Sequence, residues 1–100
     1  MFGGMEEMQK QMQEKLTSII VEEQAGAGLI KIKANAARQI LDVSISPELD
    51  LTDKEELEDL ILEAVNRVVA AAAAKEQEES QAMLAKMLPG GMGNLGNLFG

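Results

Sequence analysis

The 100-residue chain contains no cysteine, histidine, tyrosine or tryptophan. Without cysteine there are no disulfides and no thiolate metal sites, a composition suited to a reducing compartment. Without histidine the commonest general base and the commonest transition-metal ligand are both missing, and with no Tyr or Trp either there is little catalytic vocabulary beyond carboxylates, lysine and Ser/Thr. Aromatics are reduced to Phe2 and Phe99, so any core must be aliphatic and thin. The longest apolar run lies around the alanine block near residue 70, far short of the ~20 residues that span a membrane. The N-terminus "MFGGMEEMQKQMQEK" lacks the basic and apolar regions of a signal peptide. These absences predict a soluble, cytoplasmic protein with no membrane partner.

What is present is an acidic, aliphatic chain: 46% hydrophobic residues, a net charge of -8 and a pI near 4.4. This length allows one domain with a modest core, so a second subunit would contribute much to stability. An evenly spread negative charge would repel polyanions, and the distribution of charge therefore decides which partners are open to the chain.

Apolar residues at Met5, Met8, Met12 and Leu16 recur at spacings of three, four and four, which predicts a helix with one narrow apolar stripe. After Thr17 the pattern changes. "SIIVEEQ", "LIKIKA" and "ILDVSIS" read as three antiparallel strands separated by "AGAG" and "NAARQ". The alternation sets Ile30, Ile32 and Ala34 on one face and Leu29, Lys31 and Lys33 on the other, with Leu41, Val43 and Ile45 forming the apolar side of the third strand. Asn35-Ala36 is weak chemistry for a two-residue turn and predicts a longer loop.

Past Pro47, Thr52 as N-cap with Glu55 three residues on predicts a helix start. Leu57, Leu60, Ile61, Ala64, Val65, Val68, Val69 and Ala72 then form a broad stripe, and no Gly or Pro intervenes before Pro89. As a helix, residues 53–88 would measure ~54 Å, much longer than a compact chain with a radius of gyration of ~13 Å can enclose. Met83, Leu84, Met87 and Leu88 form an apolar patch on the overhang with no intramolecular cover expected, for which a second chain is the natural partner. The fold class predicted is α+β: an N-terminal helix, a three-stranded antiparallel β-meander and a long C-terminal helix, assembled as a homodimer. Residues 1–88 form one domain, and residues 89–100, "PGGMGNLGNLFG", a flexible Gly-rich tail.

No enzyme constellation emerges. Glu22/Glu23, Glu55/Glu56 and Glu78/Glu79 are carboxylate neighbours without a partner base and read as solvated surface. "GAG" at residues 26–28 lacks phosphate-loop spacing and precedes a strand, so it reads as a turn. No cofactor, metal or small-molecule substrate is expected.

One stretch runs against the net charge. Lys31, Lys33 and Arg38 fall between Glu23 and Asp42 with no acidic residue among them. The plain reading is a hydrated sheet face, with Lys31 or Lys33 paired across strands to Asp42. The functional reading is a cationic strip, joined by Lys10 and Lys15 if the first helix lies near, that would grip phosphates with little sequence preference.

The segments "MFGG", "MQKQMQEK", "GAGLIKIKANA", "ILDVSISPEL" and "DKEELEDLILEAVNRV", in that order, resemble the YbaB/EbfC family of bacterial nucleoid-associated proteins over about residues 1–75. The resemblance implies a small cytoplasmic homodimer with helices projecting like the arms of tweezers, which binds double-stranded DNA and organises the nucleoid or influences transcription. Local charge, rather than the resemblance, selects Lys10, Lys15, Lys31, Lys33 and Arg38 as the DNA-binding candidates. The alternative is an acidic dimeric adaptor that receives a protein partner on its Met-rich stripe or C-terminal apolar patch without binding nucleic acid.

Overall fold

A computed structural model describes residues 2–87, with side-chain surroundings for residues 4–86. The elements are α1 (Phe2–Ser18), β1 (Ile20–Ala25), β2 (Ile30–Asn35), β3 (Ile40–Ile45) and α2 (Lys54–Met87). The three strands form one antiparallel sheet in the order β1-β2-β3, the meander that the alternation predicts. The expected tail at 89–100, and the Leu88 and Met87 side chains of the expected apolar patch, lie outside the described residues.

Pairing fixes the two sheet faces. Val21, Ala34 and Ile40 align across the strands, as do Ala25, Ile30 and Ile45, and Ile32 sits between Glu23 and Val43. On this inner face α2 lies over β1 and β2, burying Ile30, Ile32 and Ala34 against Ala64, Val68 and Ala72. Full burial of Ile30 and Ile32 stabilises the fold by about 1.5–3 kcal/mol each. The three α2 residues are spaced by four, one stripe on one side of the helix. Ala64 and Ala72 carry no bulk beyond Cβ, so helix and sheet approach closely. Of the alanine block, Ala72 is buried and Ala71 half-buried, while Ala70, Ala73 and Ala74 are exposed and contribute helix propensity.

The helix does not reach β3. All six residues of that strand are exposed, including Ile40, Leu41, Val43 and Ile45 at 42–53%. A register shift opposite Lys33/Ala34 leaves Leu41 without a partner and sets Ile40, rather than Leu41, opposite Ala34. Leu29 also departs from the expected alternation. It belongs to the turn Gly26–Leu29 and packs against the core, because Gly26, Ala27 and Gly28 all take positive φ and reverse the chain before β2 begins.

The start of α2 differs from the sequence expectation in an explicable way, and the β2–β3 loop agrees with it. Asp50 Oδ1 accepts hydrogen bonds from both the hydroxyl of Thr52 (2.6 Å) and its backbone N–H (2.9 Å). Thr52 is thereby engaged, and Asp53 caps α2 instead, its Oδ1 accepting from the N–H of Glu56 at 3.1 Å. The hydroxyl first, and then the N–H, hold the Asp50 carboxyl below its usual range. They favour the ionised form, so their contribution is present above the unfolded pKa and is lost as pH falls through the lowered one. The β2–β3 loop is longer than two residues, as expected, and its left-handed residue is Arg38 (φ 67). Ala36 is buried, its N–H shared between the carbonyls of Leu16 and Ile19, so no glycine is required there.

Beyond the sheet α2 continues, and α1 runs beside it. Lys15 meets Glu79, and Met5, Met8 and Met12 face Met83 and Leu84, so the two helices form an antiparallel arm. The overhang thus has an intramolecular neighbour in α1, which the sequence reading did not anticipate. A 34-residue helix extends ~51 Å, and the chain is correspondingly long: 58 Å in its greatest extent, with a radius of gyration of 18.7 Å.

Candidate nucleic-acid interface

The outer sheet face carries two rows of side chains. One row runs Glu22, Lys33, Asp42 and the other Gln24, Lys31, Ser44. These positions are polar because the face has no covering layer, and the strand period then places both lysines on the same side. Lys33 Nζ lies 3.8 Å from Glu22 Oε2, with both side chains about half exposed, and Asp42 stands opposite on β3. An exposed pair of this kind contributes ~0–1 kcal/mol and exchanges its partner readily. Lys31 is flanked by uncharged Gln24 and Ser44 and makes no ion pair among the described residues.

The other three candidates lie elsewhere. Arg38 projects from the β2–β3 loop and pairs with Glu76 of α2. Lys15, at the C-terminal end of α1, pairs with Glu79 at 2.7 Å. Lys10 shares the exposed side of α1 with Glu6, Glu7 and Glu14. The candidates therefore form two groups: Lys31 and Lys33 on the sheet, and Lys10, Lys15 and Arg38 along the helical arm and its base. Near Lys15 and Glu79, across the arm, lies Lys86, a cation that sequence reasoning missed. Only the antiparallel docking of α1 on α2 brings them close, and neither periodicity nor local charge signals it.

The sheet thus offers an open, hydrated plane on which Lys31 and Lys33 share one side with Glu22 and Asp42, and which is accessible to a phosphate backbone. The chain matches the YbaB/EbfC DNA-binding family over residues 1–87, which takes in every described element. The chain belongs to that family. A similar solved structure is that of the uncharacterized protein HP0035 from Helicobacter pylori, with 25% identity and a TM-score of 0.73. The match covers 83% of this chain and 88% of that one. Membership places the chain among nucleoid-associated, DNA-binding proteins, a family defined by binding rather than by an enzymatic reaction. Among the described residues no group of three or more carboxylates could hold a metal ion, and no helix is long and apolar enough to cross a membrane.

Proposed function

We propose that this chain binds duplex DNA in the cytoplasm as a homodimer, with little sequence preference, and acts on the nucleoid. The observation that carries this reading is the match to a DNA-binding family along nearly the whole chain. Lys31 and Lys33 on the open sheet face are the contacts proposed for phosphate, with Lys10, Lys15 and Arg38 supplementing them from the arm. The sheet has no aromatic side chain to stack on a base, so affinity comes from charge and is indifferent to sequence. Contacts within a Debye length of ~8 Å outweigh distant charge, so Lys31, flanked by uncharged Gln24 and Ser44, keeps its attraction for phosphate in an acidic chain, while Glu22 and Asp42 moderate that of Lys33.

The dimer reading rests on β3. Its inner-face residues Ile40, Val43 and Ile45 extend past the cover of α2. Arg67 of α2 donates to the carbonyl of Gln24 on β1, so the opposite side of the helix, with Ile61, Val65 and Val69, turns toward β3. Strand and helix flank form an apolar step that a second copy can cover with the same surface, as two-fold symmetry requires.

A second reading has support of its own. Lys15, Lys33 and Arg38 each have a carboxylate partner within the chain, and the net charge is -8, so an acidic dimeric adaptor without nucleic-acid binding fits the same charges. Titration of two unrelated duplexes at low salt separates the readings. The DNA reading predicts similar affinities for both; no binding to either would leave the adaptor.

A further inference from the structure

The arm contains a groove of ≈ 490 Å³ between α1 and the distal half of α2. Its apolar wall is Met5, Met8, Met12, Met83 and Leu84, of which Met5 is 61% and Leu84 53% exposed. Its polar positions are Gln9, Gln13 and Ser80. Among the described residues no charged side chain lines it, although 26% of the chain is charged. An occupant should therefore be apolar, uncharged and able to supply amide hydrogen bonds.

The chain carries such a segment next to the groove. α2 is described as far as Met87, one turn beyond Met83 and Leu84, and the sequence continues "LPGGMGNLGNLFG". These thirteen residues contain no charged side chain. Pro89 cannot continue the helix, and Gly90-Gly91 permits a sharp reversal. Beyond Gly91 the sequence carries Met92, Leu95, Leu98 and Phe99, with Asn94 and Asn97 between them. An extended chain covers ~3.3 Å per residue, so residues 92–99 reach ~26 Å. The groove wall from Met5 to Met12 is only ~10 Å long at 1.5 Å per helical residue.

We propose that this groove is the docking site of the chain's own C-terminal segment, residues 92–99. Leu95, Leu98 and Phe99 lie on the methionines, whose flexible side chains adapt to irregular partners. Asn94 and Asn97 meet Gln9, Gln13 and Ser80. Ordering a glycine-rich segment costs conformational entropy, so the docking is weak and reversible, and it competes with any other apolar partner for the arm. It is independent of the DNA-binding reading.

The absence of cysteine makes the test clean, because Gly100→Cys in the full chain, just outside the docking segment, takes a single nitroxide label. The methyl signals of Met8, Met12 and Met83 should be lost with the active nitroxide and return when it is reduced. Adding Leu95→Ser, Leu98→Ser and Phe99→Ser to the labelled chain should restore them. Retained signals in the first chain would overturn the proposal, and so would undiminished loss in the second, which would reflect the tether alone. A mixture of nitroxide-bearing chains with separate isotope-labelled chains should show no loss. Loss there would assign the groove to a second copy's tail and overturn docking within one chain.

Discussion

Asn35 is a buried polar residue at the end of β2, 2% exposed, and its side chain organises the loop that carries Arg38. Its Oδ1 accepts from the N–H groups of Ala37 (3.0 Å) and Gln39 (3.1 Å), while its Nδ2 donates to Gln39 Oε1 at 2.7 Å. Asn35→Ala leaves both N–H groups without that acceptor and should cost about 1–3 kcal/mol in chemical denaturation. A loss below about 0.5 kcal/mol would show that the loop holds itself. Charge at Lys33 is also a matter of single residues. Glu22 and Asp42 flank it on the open face, so replacing both carboxylates with Glu22→Gln and Asp42→Asn should raise DNA affinity several-fold by freeing the lysine and removing two repulsive charges. Unchanged or weaker binding would mean that DNA does not approach this face.

At the scale of elements, α2 works in two halves, one covering the sheet and one forming the arm with α1. Ala72→Leu, at a position 1% exposed, should destabilise by about 1–3 kcal/mol through overpacking. Ala74→Leu, on the exposed side, should stay within about 0.5 kcal/mol of the parent. Equal effects at the two sites would contradict the close approach of helix and sheet at Ala72. The elements themselves were legible in the sequence because their signals are local: the period of two in "LIKIKA", the period near four from Leu57 to Ala72, and the breaks at "AGAG" and Pro47. Errors arose where a tertiary or neighbouring contact overrides a local rule. Asp50 engages Thr52 and shifts the cap to Asp53; Leu29 turns into the core; a bulge leaves Leu41 unpaired. The cover of the overhang by α1 was invisible for the same reason, since two amphipathic stripes far apart in sequence do not announce which of them meet. The candidate cations were visible as residue types, but their partners Glu22, Glu76 and Glu79 lie on other elements and only the fold brings them near.

At the scale of the whole molecule, α2 covers β1 and β2 but, among the described residues, leaves the edge strand β3 exposed, and the proposed function requires a second copy there. Val43 is 53% exposed in the protomer, so Val43→Asp should leave the protomer folded by circular dichroism. It should nonetheless sediment as one chain where the parent sediments as two, because the dimer would bury an unpaired carboxylate. A parent that sediments as one chain at low micromolar concentration would refute the dimer. A variant that still sediments as two would move the seam elsewhere. The central claim, that Lys31 and Lys33 contact DNA phosphates, is tested most directly by the salt dependence of duplex binding in the parent and in the Lys31→Gln, Lys33→Gln double variant. Log affinity should fall against log salt by ~0.9 per phosphate neutralised, and the double variant should bind unrelated duplexes more weakly by similar factors, with a slope shallower by about one or more per dimer. A double variant that matches the parent in both affinity and slope would contradict the claim and leave the two lysines as a solubilising surface.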